Sequence, residues 1–472
     1  MTISNNIGAP ETIYWNLLDL DNSRAIVRKL QLRIARAIRE NRWNKAKALQ
    51  HLLTKSFHAK LLAVHKVTTN KGKNTPGVDG IVWNSNKAKT KGLYSLLSRG
   101  YKPKPLRRVY IPKANGKQRP LGIPTMKDRA MQALYAMALE PIAEVTADVT
   151  SYGFRPKRSA KDAIAQCWLC LHRRTNSQWV LDADIKACFD NISHDWLLEN
   201  IPMNKGILKK WLTSGYIFKD QYFRTEEGTP QGGIISPILA NMCLDGLSKE
   251  LKRNTSLQDK VNLIRYADDF IVTGVSKATI ESKVIPIVKN FLKIRGLKLS
   301  EEKTRIVHIN DGFNFLGFNV RKYRDKLLIK PSKESVKNLL HSIRYKLKIG
   351  LHTSQEGIVN SLNPRIRGWS YYFRSVVSKE TFSYVDGIIC KKLIKWCKKK
   401  HPTKSYKWIK NKYFKTIGFR SWIFSPKSSD LQIMLAAKVP IKRHRLIMHN
   451  ANIYDLNYDN YFKERDAGNI YC

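Results

Sequence analysis

Residues 261–275 read VNLIRYADDFIVTGV, two apolar runs of strand length on either side of adjacent aspartates. Runs this short and this rich in branched residues form strands, and the acidic pair between them marks a tight turn. Asp accepts turn dihedrals readily, so Asp268 and Asp269 fit the tip of such a hairpin. Most Asp-Asp turns are simply solvated. Here the flanking strands are apolar, and another short strand, WVLDADI (179–185), carries Asp184 at its end. Carboxylates gathered at one point repel one another unless a cation sits between them, which marks the set as a candidate metal site. From residue 107 to about 275, short strands alternate with helical patterns, the mark of an α/β domain.

Charge says what such a domain works on. The 472 residues carry 85 Lys and Arg against 37 acids, a net charge of +48. A surface this basic repels itself unless a polyanion is near, and the commonest is nucleic acid. Binding through phosphates releases counterions, so affinity should fall steeply with salt. No amphipathic anchor, lipidation motif or spanning apolar stretch is present in the sequence, so no membrane partner is expected. Seven scattered cysteines suit a reducing cytosol rather than a disulfide framework. The N-terminus lacks the pattern of a signal peptide, and a soluble protein is expected.

Paired aspartates and a polyanion together point to nucleotidyl transfer. That chemistry uses two divalent cations about 4 Å apart, one activating the attacking hydroxyl and one neutralising the leaving pyrophosphate. Mg²⁺ prefers carboxylate oxygens and keeps its waters, so Asp184, Asp268 and Asp269 suffice as ligands; Mn²⁺ is the alternative ion.

The rest of the chain divides by pattern. Residues 23–66 read as two helices broken near Asn41–Trp43, with Ile26, Leu30, Ile34 and Ile38 on one stripe. Residues 67–80 form a loop. Beyond 335 the pattern is helical, and between 341 and 450 only Glu356, Glu380, Asp386 and Asp430 oppose roughly two dozen Lys and Arg. CKKLIKWCKKKH (390–401) fits no common zinc spacing and reads as a helix with a basic face. Cys167 and Cys170 read as buried helix residues.

Nine segments in order resemble the group II intron reverse transcriptases, also called maturases. They are TPGVDG (75–80), RRVYIPKANGKQRPLGIPTMKDRAMQ (107–132), SYGFRPKRSAKDAI (151–164), DADIKACFDNISH (182–194), GTPQGGIISPILANM (228–242), YADD (266–269), GLKLSEEKT (296–304), FNFLGF (313–318) and NPRIRGWSYYFR (363–374). The resemblance implies an α/β right-hand polymerase fold: a helical N-terminal extension (1–95), fingers and palm (96–334), a helical basic thumb or maturase domain (335–428), and a basic DNA-binding tail (429–472). It implies an RNA-directed DNA polymerase that also binds its group II intron RNA, assisting splicing and retromobility by target-primed reverse transcription. Its partners would be intron RNA, a DNA target, an RNA–DNA duplex and deoxynucleoside triphosphates. Its place would be a bacterial cytoplasm, associated with the nucleoid when on DNA.

By the same resemblance Asp184, Asp268 and Asp269 are catalytic metal ligands, joined by the Ile185 carbonyl. Asp182 departs from the family pattern and is expected to play a supporting part. Phe189 would crowd a ribose 2′-hydroxyl; a core aromatic is the plainer reading. Lys113 and Arg119 would grip the triphosphate, where an isolated basic hairpin would merely be solvated. Gln231 would lie under the incoming nucleotide, with Gly232 and Gly233 admitting template or substrate backbone. Lys303 would protonate the departing pyrophosphate. Arg365, Arg367 and Arg374 would contact nucleic acid, with about half of Trp369, Tyr371, Tyr372 and Phe373 in a helical core. Many relatives continue into a His-Asn-His endonuclease. The sequence stops six residues after the stretch that leads into it, so no endonuclease is expected and a primer would come from elsewhere, such as a replication fork. Two other readings are a non-catalytic RNA-binding splicing factor and a host-recruited polymerase in DNA repair or phage defence.

Overall fold

The computed structural model describes residues 13–112, 116, 118–229, 232–418 and 420–468. At its centre is a four-stranded antiparallel sheet in the order Asn262–Tyr266, Asp269–Gly274, Trp179–Ala183, Arg305–His308. Side chains of successive strand residues alternate between faces, and both faces here are buried. Leu181, Ala183, Leu263, Phe270 and Val272 join a first core with Val284, Val288 and Leu292. Val180, Ile264 and Ile271 join a second with Ala163, Ile164 and Cys167 of the helix Ala160–Leu171. Double burial explains why these strands read as continuous apolar runs rather than as alternating ones.

The first core extends into the N-terminal region. That region holds three helices before residue 70, not two: Leu20–Arg39, Trp43–Lys55 and Phe57–Thr69. The first break falls at Asn41, which has a positive φ of 55°. The second falls at Ser56, whose extended dihedrals (φ −61°, ψ 131°) stop the helix that the residue pattern would continue. Ile34 and Ile38 are buried as the stripe requires, but toward the N-terminus burial passes to Ser23 and Val27. The first and third of these helices pack on Met126–Thr146. A second four-stranded sheet, Gln118–Ile123, Leu106–Pro112, Tyr216–Phe218 and Gln221–Phe223, stands beyond.

The second core carries the C-terminal half: a three-stranded sheet (residues 313–331), then helices Lys333–Ile349, Gln355–Phe373, Lys379–Lys400 and Tyr406–Tyr413. The pattern predicts helices throughout. The structure adds a hairpin, Phe414–Ile417 and Arg420–Phe424, whose Phe414 and Phe424 fill the core beside Trp396 and Tyr413. Within CKKLIKWCKKKH, Leu393, Trp396 and Cys397 are buried in helix Lys379–Lys400. Cys167 is fully buried, and burial pushes its thiol well up.

The segment expected to be a basic tail folds back across the molecule. The carboxylate of Asp162, wholly buried, meets His444 Nε2 at 2.8 Å and Arg465 at 2.7 Å, and accepts the Ile447 N–H at 3.0 Å. The same carboxylate caps its own helix through Ser159. Farther along, Asp459 pairs with Arg28 at 2.9 Å and the Tyr454 hydroxyl donates to Glu140 at 2.9 Å. Residues 444–466 thus strap the central domain to the first helix.

Candidate active site

Strand pairing draws the three aspartates together. The register of Trp179–Ala183 on Asp269–Gly274 sets Ala183 beside Phe270, so the next rung brings Asp184 beside Asp269. Tyr266 pairs with Asp269, leaving Ala267 and Asp268 as a two-residue loop. The backbone strain of that loop falls on Ala267, at φ 60°, and not on an aspartate as the turn chemistry suggests. A left-handed alanine costs about 1 kcal/mol and persists only where its surroundings enforce it.

The enforcement is visible. Gly153 lies so close that a Cβ on it would stand 2.3 Å from the Ala267 nitrogen. Arg265, wholly buried, donates to the Ala267 carbonyl at 3.2 Å and to Asn241 Oδ1 at 3.1 Å, and pairs with Asp245. Asn241 Nδ2 in turn donates to the Gly153 carbonyl at 2.8 Å. Beneath, Asp148 accepts the N–H groups of Gly246 and Ser248, while Arg155 grips Glu144 by two parallel bonds of 2.8 and 2.9 Å. Buried charges are tolerated only when they are paired in this way. Sequence reasoning missed Arg265, Asn241, Asp245 and Gly153. One signal was there: an arginine inside the apolar run NLIRY needs a buried partner.

The other aspartate is fixed from below. Ser300 N–H donates to the Asp184 carbonyl at 2.8 Å and Lys186 N–H to the Lys298 carbonyl at 2.9 Å, bracketing an Ile185–Leu299 bridge. Both bonds belong to neighbours of Ile185, so its own carbonyl is turned to the opposite side.

Electrostatics records the crowding. Burial, then Asp268, Asp184 and Asp182, pushes Asp269 up to about 6. Burial and Asp184 raise Asp268, while Arg119 and Lys303 pull it back. Lys303 Nζ meets Asp184 Oδ2 at 2.7 Å, and that bond raises the lysine above its ordinary value. Arg305 answers Asp182 at 3.2 Å, although burial still raises that carboxyl. Among the described residues no three His, Cys, Asp or Glu side chains already converge as a metal cage, and the Asp184 carboxylate is turned into Lys303. The donor set nevertheless fits hard divalent cations: all-oxygen, anionic and held together against its own repulsion.

Phe189 stands on the short helix Cys188–Asn191, half-buried against the first core. Its carbonyl accepts the Thr229 N–H at 2.6 Å, and Gly228 passes so close that a Cβ would lie 2.5 Å from the Asp190 carbonyl. Gly232, at φ 111°, leaves no room for a side chain on its inner side, where a Cβ would stand 2.8 Å from the Gly122 carbonyl. Lys113 and Gln231 lie outside the described residues. In the thumb, Arg365 and Arg367 are exposed on helix Gln355–Phe373, while Arg374 is half-buried over Tyr371 at 4.6 Å. Three of the four aromatics, Trp369, Tyr372 and Phe373, pack with Phe318 or Phe382, more than the expected half. Tyr371 alone is exposed.

A sheet carrying one strand-end aspartate beside a paired-aspartate hairpin, with fingers and a basic thumb around it, is the arrangement of a polymerase palm, and the family it matches makes that polymerase an RNA-directed one. The reverse transcriptase (RNA-dependent DNA polymerase) family matches residues 111–320, its N-terminal domain 15–96, and the group II intron maturase-specific domain 336–414. The chain belongs to the group II intron reverse transcriptase/maturase family. Protein YkfC of Escherichia coli (strain K12) is 34% identical over 307 residues, 55% of this chain and 79% of that protein. The group II intron-encoded protein LtrA of Lactococcus lactis subsp. cremoris is 31% identical over 353 residues, 60% of this chain and only 58% of LtrA. A solved telomerase from Candida tropicalis is a loose likeness, at a TM-score of 0.39 and 13% identity over 67% of this chain and 66% of that one. Reverse transcriptases work with divalent metal ions and nucleic acid. Among the described residues no helix is long and apolar enough to cross a membrane.

Proposed function

We propose that this chain copies RNA into DNA at the Asp184–Asp268–Asp269 cluster and binds group II intron RNA through its thumb, assisting splicing and retromobility. The observation that carries the reading is the gathering of these carboxylates at strand ends, with Asp269 raised to about 6 by burial and its neighbours. Asp184, Asp268, Asp269 and the Ile185 carbonyl would hold two Mg²⁺, or Mn²⁺. Bound there, the cations would activate the primer 3′-hydroxyl and neutralise charge on the leaving pyrophosphate.

The protein's own groups do the rest. Lys303, kept protonated by Asp184, gives its Nζ proton to the pyrophosphate oxygen as the bond to the α-phosphorus breaks. Arg119, with Lys113, takes the triphosphate. Phe189 excludes a ribose 2′-hydroxyl, and Gln231 supports the nucleotide. Arg365, Arg367 and Arg374 steady the RNA–DNA duplex, and the exposed Lys442 and Arg443 meet target DNA. The setting is a bacterial cytoplasm.

Primer extension on an RNA template with deoxynucleotides and Mg²⁺, beside Asp268→Ala, tests this. Extension by the unaltered chain alone is expected. Salt-sensitive RNA binding without extension by either chain would leave a splicing factor and no polymerase.

A further inference from the structure

Residues 151–162 lie between the acidic turn and the C-terminal strap, and they touch both. At the start of this segment Ser151 bridges Arg265, and the Tyr152 N–H donates to the Arg265 carbonyl at 2.9 Å, two residues before Ala267. Gly153 follows, pressed on the Ala267 backbone. At its end, three side chains reach the strap. Lys157 Nζ meets Asp466 Oδ2 at 2.5 Å, Arg158 Nη2 donates to the Ala451 carbonyl at 3.1 Å, and Asp162 takes His444, Ile447 and Arg465. Arg158 Nε and Nη1 are buried with no hydrogen-bond partner among the described residues, so the Ala451 carbonyl is what fixes this guanidinium. Between the two ends the backbone is strained. Phe154 and Lys157 stand at φ 57° and 59°, the left-handed region that residues with a Cβ avoid. Such conformations persist only where their surroundings over-determine them.

We infer that the strap is a positioning element for catalysis: by fixing residues 151–162 it holds Gly153 against Ala267, and so sets where Asp268 and Asp269 stand beside Asp184. The inference rests on the acidic cluster being the reaction centre. The route is short and physically continuous. Arg465 and Asp466 hold Asp162 and Lys157, one strained stretch joins these to Gly153, and Gly153 meets Ala267. Close-packed contacts pass a displacement on rather than absorbing it. Carboxylates that must share cations tolerate little, since a misplacement of about 1 Å can cost about 10²-fold in rate. The outer half of the strap offers a contrast. Asp455 and Asp459 pair instead with Arg39 and Arg28 of the first helix.

The test compares the two halves on the full chain. Arg465→Gln with Asp466→Asn loosens the inner half, and Asp455→Asn with Asp459→Asn loosens the outer half. Thermal melts keep every assay well below each variant's Tm. Primer extension gives kcat and the KM for nucleotide, and EPR of free Mn²⁺ gives the affinity of the metal site without nucleic acid. The inner pair should lower kcat by about tenfold or more at unchanged KM, and weaken Mn²⁺ binding by about tenfold. Arg465→Lys, which keeps a charge on Asp162, should leave most of both intact. The outer pair should lose stability alone. An inner pair with unaltered kcat and Mn²⁺ affinity would overturn the inference. So would an outer pair that loses both to the same extent, which would make the strap a clamp on the fold and nothing more. Should the inner pair fail to fold, Asp466→Asn alone leaves the buried Asp162 contacts in place and carries the same comparison. The polymerase reading fails separately, by absent extension in the unaltered chain, and Mn²⁺ affinity then still decides the positioning.

Discussion

The acidic site and the thumb deal with charge in opposite ways. At the site, Asp182, Asp184, Asp268 and Asp269 are forced together by strand register, and the scaffold under them rests on buried ion pairs: Arg265 with Asp245, Arg155 with Glu144. In the thumb, Arg365 and Arg367 stand apart on an exposed helix face, and the aromatics beside them mostly serve the core. One region concentrates like charge through rigidity. The other spreads it where each group acts singly. A substitution at the site should therefore act as a switch, and one in the thumb as a small increment.

The largest expected effect comes from Asp184→Asn, which keeps shape and removes one charge. Primer extension should fall by at least about 10³-fold with RNA affinity unchanged; a drop of only a few-fold would mean the cluster is not the reaction centre. Next is the scaffold. Arg265→Met leaves the buried Asp245 carboxylate unpaired, at a cost of about 3–5 kcal/mol in denaturant unfolding. Arg265→Lys keeps the charge but loses the fork that reaches Ala267, so kcat should fall more than the KM for nucleotide. Equal changes in both would reduce Arg265 to a folding role.

A third test sharpens the contrast through pH. Asp269 titrates near 6 in the folded chain but near 4 when unfolded. The folded form therefore holds the extra proton between those values, and metal-free stability falls as pH rises through about 4 to 6. Mg²⁺ should reverse the fall. Asp269→Asn should remove it and raise the metal-free Tm at pH 7 by about a degree or two. Thermal melts with and without Mg²⁺ decide it, since a Tm flat across this window contradicts the crowding. The smallest effects belong to the thumb: Arg365→Ala and Arg367→Ala should each weaken RNA binding a few-fold and lower the salt slope by about one.

Much of this was legible before the structure. Apolar strands ending in aspartates, and a basic second half, follow from local pattern and composition. Group II intron family membership followed from nine ordered segments. What stayed hidden were long-range pairings. Nothing in the sequence around Gly153 says that its missing side chain makes room for Ala267, and nothing near Asp162 announces His444 and Arg465, 282 and 303 residues away. Ser56 shows the limit at short range, since a helical residue pattern runs straight through the position where the backbone turns extended. The second sheet shows a related limit: Tyr110 lies far in sequence from the hairpin of Tyr216, Phe218 and Phe223 and joins it only through a parallel pairing.

The strap over residues 444–466 bears on the order of manufacture. A ribosome releases the first helix and the Asp162 helix hundreds of residues before it makes the segment that ties them together. Until then Asp162 faces its future pocket without His444 or Arg465, and Arg28 lacks Asp459. Translation halted before this segment would leave a molecule with all its site aspartates and an unclosed back, open to proteases and holdases. The strap thereby closes only after every residue of the acidic cluster has been made.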